Sequence, residues 1–173
     1  MTQPFRDNPE MAKGIHIANK VCTGVMYLAY PALLVYMYFN AYKISSFFQF
    51  EKVLFVPAVC FVLLSIFRKI LNRPRPYELF EIPPVIKKDT KGLSFPSRHV
   101  FSATMIAMTF LLHSPFFVLG VIFFIMSLLL AVVRVVSGVH YISDVVAGVV
   151  IAVVAAMIGY LFWFTIYDGY GMI

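Results

Sequence analysis

The fold is decided by residues 145–167, which read VVAGVVIAVVAAMIGYLFWFTIY and contain no charged side chain. A helix rises about 1.5 Å per residue and needs about 20 apolar residues to cross roughly 30 Å of hydrocarbon. This stretch therefore predicts one membrane-spanning helix. Small residues recur along it at steps of three or four, and they share a face that we expect to pack inside a helical bundle. The members of this face are Asp144, Gly148, Ala152, Ala155 and Gly159.

Three other stretches are free of charge, and they extend the same pattern toward the amino terminus. Residues 21–42 fit one span, and residues 53–67 fit a second if the aromatic segment 47–52 is included. Residues 99–133 are too long for one helix and are interrupted at His113-Ser114-Pro115, which predicts two helices joined by a tight turn. The sequence thus predicts an all-α polytopic membrane bundle with about five transmembrane helices.

The composition excludes several other classes of protein. Hydrophobic residues make up 61% of the chain and charged residues only 13%, whereas a soluble domain carries about 25% charge. A soluble domain and a disordered chain are therefore excluded. The two cysteines, Cys22 and Cys60, lie in apolar runs and indicate neither a disulfide framework nor a zinc site. A net charge of +6 in so apolar a chain favours membrane lipids, and not nucleic acid, as the partner.

We expect residues 1–173 to form a single membrane-embedded domain, because no repeat or second apolar unit is visible. Residues 1–20 carry five charges and lack the apolar core of a signal peptide, so an interfacial segment is expected there. The remaining polar segment, residues 68–98, holds eight of the 14 basic residues. It is the candidate functional loop.

Three polar clusters border the apolar stretches. Residues 68–76, RKILNRPRP, are typical either of a basic helix flank at the headgroups or of an anion site. Residues 94–99, SFPSRH, combine a helix N-cap with a hydroxyl and a guanidinium that would suit a phosphate. In residues 134–144, RVVSGVHYISD, His140 and Asp144 are four apart and share a helix face, or else form a simple helix-entry pair. Their spacing is typical of a base oriented by a carboxylate.

Together the three clusters resemble the type 2 phosphatidic acid phosphatase superfamily in order and spacing. The first motif of that family is a Lys followed after six residues by Arg-Pro, and here Arg68 precedes Arg75 by that interval. The second motif, Pro-Ser-Gly-His, corresponds to residues 96–99. The third, Ser-Arg, five residues, His, three residues and Asp, corresponds to residues 133–144. The superfamily includes lipid phosphatases, acid phosphatases and haloperoxidases, and the apolar spans favour the lipid phosphatase branch.

Three positions depart from the family pattern. Arg68 replaces Lys and keeps the charge, and Val133 replaces a Ser. Arg98 replaces a Gly whose small size lets the backbone approach phosphate. Arg98 either binds additional charge of a diphosphate, or points away to cap a loop carbonyl or to pair with Asp89. The two alternatives predict different substrate preferences.

The resemblance implies a phosphatase without metal or other cofactor, in which arginines neutralise the phosphate. By this resemblance, His140 attacks phosphorus to give a phosphohistidine, Asp144 fixes the tautomer of His140, and His99 protonates the leaving group. The residues implied to bind phosphate are Arg68, Arg75, Ser97 and Arg134, and Arg98 is added to them as a candidate on account of its charge. A non-enzymatic anion channel or transporter would explain the arginines but not the spacing of His140 and Asp144.

A lipid phosphate is the expected substrate, because the site would lie at headgroup level while the tail stays in the bilayer. Phosphatidic acid, phosphatidylglycerol phosphate and undecaprenyl diphosphate all fit this description. The small size resembles bacterial members that recycle the undecaprenyl carrier, which ranks undecaprenyl diphosphate first. We expect a multi-pass protein of the cell membrane. Its active site is expected to be extracytoplasmic by resemblance, although the basic loop by charge count alone favours the cytoplasmic side.

Overall fold

The computed structural model describes residues 7–40, 47–80, 83–88, 90–113 and 116–168, the last five of these by their backbone only. These residues form six helices and no strand. The helices are α1 (Pro9–Asn40), α2 (Phe47–Leu71), α3 (Pro76–Leu79), α4 (Arg98–Leu111), α5 (Phe117–Val136) and α6 (Ile142–Asp168). The prediction of an all-helical membrane bundle is confirmed.

Four of the described helices, α1, α2, α5 and α6, are long and apolar enough to cross a membrane. The remaining predicted span, in the first half of residues 99–133, corresponds to α4. This helix has 14 residues and is therefore about 21 Å long. Ten of its residues are buried, because α4 lies inside the bundle and the other four long helices all pack on it. An apolar run alone does not show whether a helix faces lipid or protein, which is why α4 resembles a span in the sequence.

The helix boundaries differ from the predicted ones mainly at the amino terminus. The segment predicted to be interfacial contributes the first turns of α1, which continues without a break into the first span. The aromatic segment 47–52 does belong to α2, as the length of that span required. α4 ends at Leu111 and α5 begins at Phe117, so the break between these helices falls where it was predicted, while Ser114 and Pro115 lie outside the described residues.

The small-residue face of α6 is packed against two helices. A Cβ atom added to Gly148 would lie 3.0 Å from the carbonyl oxygen of Ser97, at the start of α4. A Cβ atom added to Gly159 would lie 2.6 Å from Cγ1 of Val56 in α2. Ala152, between them, is completely buried. This close packing holds the first turn of α6 directly against the first turn of α4.

Candidate active site

Asp144 is the point at which the three polar clusters meet. Its side chain is completely buried in the first turn of α6. Oδ2 accepts hydrogen bonds from the hydroxyl of Ser94 at 2.5 Å and from the backbone N–H of Tyr141 at 3.0 Å. Oδ1 lies 2.9 Å from a terminal nitrogen of Arg73, and the backbone carbonyl accepts the N–H of Ser97 at 2.9 Å. One residue thus joins all three clusters into a single site.

His140 lies in the short connection between α5 and α6. The chain reverses there through Gly138, whose φ of +76° is a conformation that side chains other than glycine adopt rarely. The turn buries His140, which is 2% exposed, and places its Nδ1 3.3 Å from Oδ2 of Asp144. When Nδ1 donates its hydrogen to this carboxylate, the lone pair of the neutral ring is on Nε2. That is the arrangement a nucleophilic histidine requires.

The surroundings of His140 keep its imidazole neutral. Burial lowers the pKa of His140 to about 4, and the positive charges of Arg75 and Arg134 act in the same direction. The hydrogen bond to Asp144 opposes this change but is outweighed by burial. At pH 7 the ring therefore carries no charge, and its free nitrogen is able to attack.

Arg68 and Arg75 hold the polar loop to the end of α2. Both are buried, with 6% and 2% of their surface exposed. Arg68 donates hydrogen bonds to the carbonyl oxygens of Pro96 and Leu93. Arg75 donates from Nε to the carbonyl of Gly92 at 2.9 Å. The two guanidinium groups are thus fixed by neutral oxygens, and neither forms an ion pair within the described part of the chain.

Arg134 approaches the same site from the last turn of α5. It is 2% exposed, and a terminal nitrogen donates to Oδ1 of Asn19 at 3.2 Å. Its Nε, although buried, has no hydrogen-bond partner among the residues described. Burying a charge without an opposite charge is costly, so three such groups at one place indicate a site for an anion.

The predicted residues of the second cluster surround the start of α4. Ser97 is completely buried at the N-cap, yet its hydroxyl makes no capping bond and has no partner among the described residues. His99 is half-buried in the first turn, within electrostatic reach of His140. Arg98 is exposed and its guanidinium carbon lies 5.9 Å from the ring centroid of Phe61. Asp89, the alternative partner of Arg98, lies outside the described residues.

Several contacts at the site involve residues to which the sequence assigned no role. Arg73 binds the carboxylate of Asp144 and lies 4.4 Å from the ring centroid of Tyr141. Ser94 donates to the same carboxylate. Both residues belong to polar clusters that the sequence analysis singled out, so their position in those clusters could have pointed to a role at the site. Asn19, which belongs to α1, gave no such signal.

Two cavities open beside these residues. The larger, of about 490 Å³, is lined by His140 together with Arg73, Tyr77 and Tyr141. The smaller, of about 110 Å³, is lined by Arg68 and Arg75 together with Lys88 and Arg98. His140 thus borders one cavity, and Arg68 and Arg75 border another.

Comparisons with known proteins agree with this arrangement. Residues 50–168 match the model of the PAP2 superfamily. The crystal structure of Aquifex aeolicus LpxE is similar, with a TM-score of 0.67, 22% identity, and coverage of 88% of this chain and 86% of that chain. A transmembrane PAP2 type phosphatidylglycerolphosphate phosphatase from Bacillus subtilis is also similar, with a TM-score of 0.62, 20% identity, and coverage of 90% and 77%.

At these identities the two structures show a shared fold. Among curated protein sequences, none matches this chain. The family match covers more than half of the chain and includes all three polar clusters. Four membrane-length helices and a site in which the clusters meet at Asp144 agree with it. The chain belongs to the PAP2 superfamily.

Proposed function

We propose that the protein is a membrane phosphatase that hydrolyses a lipid phosphate or diphosphate through a phosphohistidine on His140. The observation that carries the proposal is the meeting of a neutral, carboxylate-bound histidine with three buried guanidinium groups. A transferring phosphoryl group needs a nucleophile in line and positive groups around its oxygens. A channel would need the cations but not the dyad.

In the first step the phosphoryl group is held by Arg68, Arg75 and Arg134, and by the free hydroxyl of Ser97. Nε2 of His140 attacks phosphorus and forms the P–N bond, while Asp144 stabilises the positive charge that develops on the ring. The bond from phosphorus to the leaving oxygen breaks at the same time. Burial and the positive charges around His99 lower its pKa in the free protein; the bound phosphoryl charge offsets those charges, so the ring takes up a proton from water and then gives it to that oxygen.

In the second step water releases the phosphate. His99, now neutral, takes a proton from water, and the water oxygen attacks phosphorus as the P–N bond breaks. Inorganic phosphate leaves and His140 returns to its neutral form. Because guanidinium groups supply the positive charge throughout, we propose that the reaction needs no metal, and that EDTA leaves the rate unchanged.

An apolar groove near the site supports a lipid substrate. It has a volume of about 530 Å³ and runs between α1, α2 and α4, where Tyr30, Pro57 and Met105 are among its lining residues. Phe61 belongs to the same groove and also contacts the guanidinium of Arg98. A hydrocarbon tail in this groove would have its headgroup beside the arginines. We rank undecaprenyl diphosphate first, ahead of phosphatidic acid and phosphatidylglycerol phosphate.

The direct test is phosphate release by the purified protein in detergent from each of these three lipids. We expect release from at least one lipid, inhibition by vanadate and no effect of EDTA. His140→Ala, purified in parallel, controls for contaminating phosphatases. Folded protein that hydrolyses none of the three, but conducts anions across liposomes, would replace the enzyme by the channel alternative.

We also propose that the active site faces outward from the cell membrane. The bond of Arg134 to Asn19 shows that the first turns of α1 lie at the same end of the bundle as the site, so the end of α1 lies at the other. Single cysteines at positions 87 and 40, in a chain without Cys22 and Cys60, probe the two ends. We expect an impermeant thiol reagent to label intact cells at position 87 only, and labelling at position 40 only would reverse the orientation.

A further inference from the structure

The smaller cavity at the site is lined by Arg68 and Arg75, two members of the three-arginine clamp that Arg134 completes, and by three further basic side chains. It lies at the end of α2 and has a volume of about 110 Å³. None of its described lining residues is acidic. Basic groups so close together repel one another unless an anion lies between them. Its polar lining includes Arg68, Lys69, Arg75, Lys88, Thr90 and Arg98.

Lys88 is the basic residue of this set that lies outside the three family motifs. It is half-buried, and its segment is held in place three residues earlier, where Val85 bonds to two other elements. The N–H of Val85 donates to the carbonyl of Ser137 at 3.0 Å, and its carbonyl lies 3.0 Å from Nε2 of His16. Lys88 is therefore positioned by the fold at the cavity, although it lies in a loop.

The electrostatic surroundings of Lys88 are positive on every side that the structure describes. Burial, and after it the charges of four guanidinium groups, together lower the pKa of Lys88 to about 7. An anion in the cavity would remove this penalty and restore the ammonium charge. The four groups come from α2, α4, α5 and the loop that follows α2, and they are Arg68, Arg98, Arg134 and Arg75.

We infer that Lys88 and Arg98 form a second phosphoryl subsite beside the clamp, which binds the phosphoryl group next to the lipid in a diphosphate substrate. The inference rests on the proposed function and specifies its substrate class. A phosphate ester carries about 1.5 to 2 negative charges, which the clamp alone balances. A diphosphate carries more, and Lys88 and Arg98 are suited to balance the remainder.

The position of Arg98 indicates which phosphoryl group the subsite holds. Arg98 lines the cavity and also contacts Phe61, at the end of the apolar groove. The phosphoryl group attached to the tail thus lies between the groove and the clamp, and the terminal one reaches His140. The bridging P–O bond then breaks, His99 protonates its oxygen, and a lipid monophosphate leaves from the subsite.

A binding experiment tests the subsite without turnover. Affinities of the whole protein for methylenediphosphonate and methylphosphonate are measured by calorimetry in detergent. We expect the parent to prefer the diphosphonate, and Lys88→Met to lower that preference about tenfold or more. Lys87→Met, which removes an exposed lysine from the adjacent position, should leave the preference unchanged. An unchanged preference in Lys88→Met, or an equal loss in Lys87→Met, overturns the inference.

Two further variants keep the test decisive if Lys88→Met folds poorly. Lys88→Arg should retain the preference, whereas Arg98→Gly should lower it. Turnover separates this inference from the proposed function. If the parent hydrolyses lipids, but neither Lys88→Met nor Arg98→Gly lowers the preference for the diphosphonate, the subsite alone is contradicted. A parent that releases phosphate from no lipid contradicts the proposed function, while the phosphonate affinities still report on the subsite.

Discussion

The two ends of the bundle each contain a buried polar cluster, but the clusters differ in charge. At the end described above, three guanidinium groups are buried around His140 and Asp144. At the opposite end, Nδ1 of His113 lies 2.9 Å from the carbonyl of Thr109, and the hydroxyl of Tyr160 donates to Oγ1 of Thr109 at 2.9 Å. That hydroxyl of Thr109 donates in turn to the carbonyl of Met105 at 2.9 Å.

The second cluster is a chain of hydrogen bonds between uncharged partners, with one cation nearby, since Nζ of Lys52 lies 5.8 Å from the ring centroid of Tyr160. The first cluster contains three buried guanidinium groups, more positive charge than its carboxylate balances. Burial of polar side chains is therefore common to both ends and does not by itself identify a site. The excess of positive charge does, because no carboxylate among the described residues balances it, and an anion bound there would. Five predictions test this difference, beginning with the largest effect.

His140→Ala should lower the single-turnover rate of phosphate release by about 10⁴-fold or more, because the nucleophile is lost. His113→Ala is the matched control, since it also removes a buried histidine, but at the neutral end. We expect its rate to stay close to that of the parent in folded protein. Substantial turnover in His140→Ala would exclude the phosphohistidine.

Asp144→Asn should lower the same rate by about 10²- to 10⁴-fold, short of the loss in His140→Ala. The amide keeps the size of the carboxylate but no longer stabilises a positive ring, and it favours the wrong tautomer. Side-by-side single-turnover measurements give the order of the two variants. Equal rates in Asp144→Asn and the parent would mean that the carboxylate has only a structural role.

Arg73→Gln should lower kcat about fivefold and leave KM unchanged. Arg73 acts through Asp144 and is 40% exposed, so the pair is worth at most about 1 kcal/mol. Arg73→Lys should restore most of kcat, because it restores the charge beside the carboxylate. A rise in KM with constant kcat would instead make Arg73 a substrate-binding residue.

The pH at which His140 titrates is the next test of the comparison. In protein with labelled histidines, its NMR signal should titrate near pH 4, so the neutral form is present above that pH and is lost below it. Inorganic phosphate in the clamp should raise the midpoint, because it offsets the charges of Arg75 and Arg134. A midpoint near 6.5 in the free protein would show that the ring is not desolvated.

Tyr160→Phe at the neutral end should have the smallest effect. It removes the hydrogen bond to Thr109, which is worth about 1 kcal/mol of unfolding free energy. Thermal unfolding in detergent measures the loss, and kcat should not change. A tenfold fall in kcat would show that the two ends are coupled through α4 and α6.

The sequence predicted the helical bundle and most of the residues that meet at the site. Charge-free runs define spans. His140 lies two residues before α6, so it does not share a helix face with Asp144 but forms the alternative helix-entry pair, 3.3 Å from that carboxylate. The sequence did not show that α4 is a short internal helix, since apolar surface looks alike whether it meets lipid or protein.

The contacts of Arg73, Ser94 and Lys88 were not predictable for a different reason. They depend on the path of the polar loop between α2 and α4. A loop has no regular repeat, so the sequence does not show which of its side chains point toward the site. The contact of Asn19 with Arg134 depends on how α1 packs against α5. Pairing of helices far apart in sequence is likewise not specified by local pattern.

The position of Asp144 in α6 also sets the order in which the site is assembled during biosynthesis. Chains insert as they are synthesised, so Arg73 and Ser94 enter the membrane region before their shared carboxylate exists. Arg134 and His140 are synthesised later than these two residues, immediately before α6. Among the described helices, α6 is the last to be made, and until it inserts the polar loop lacks its central anchor. A ribosome paused before α6 would therefore hold a chain whose spans are inserted but whose site has not yet formed.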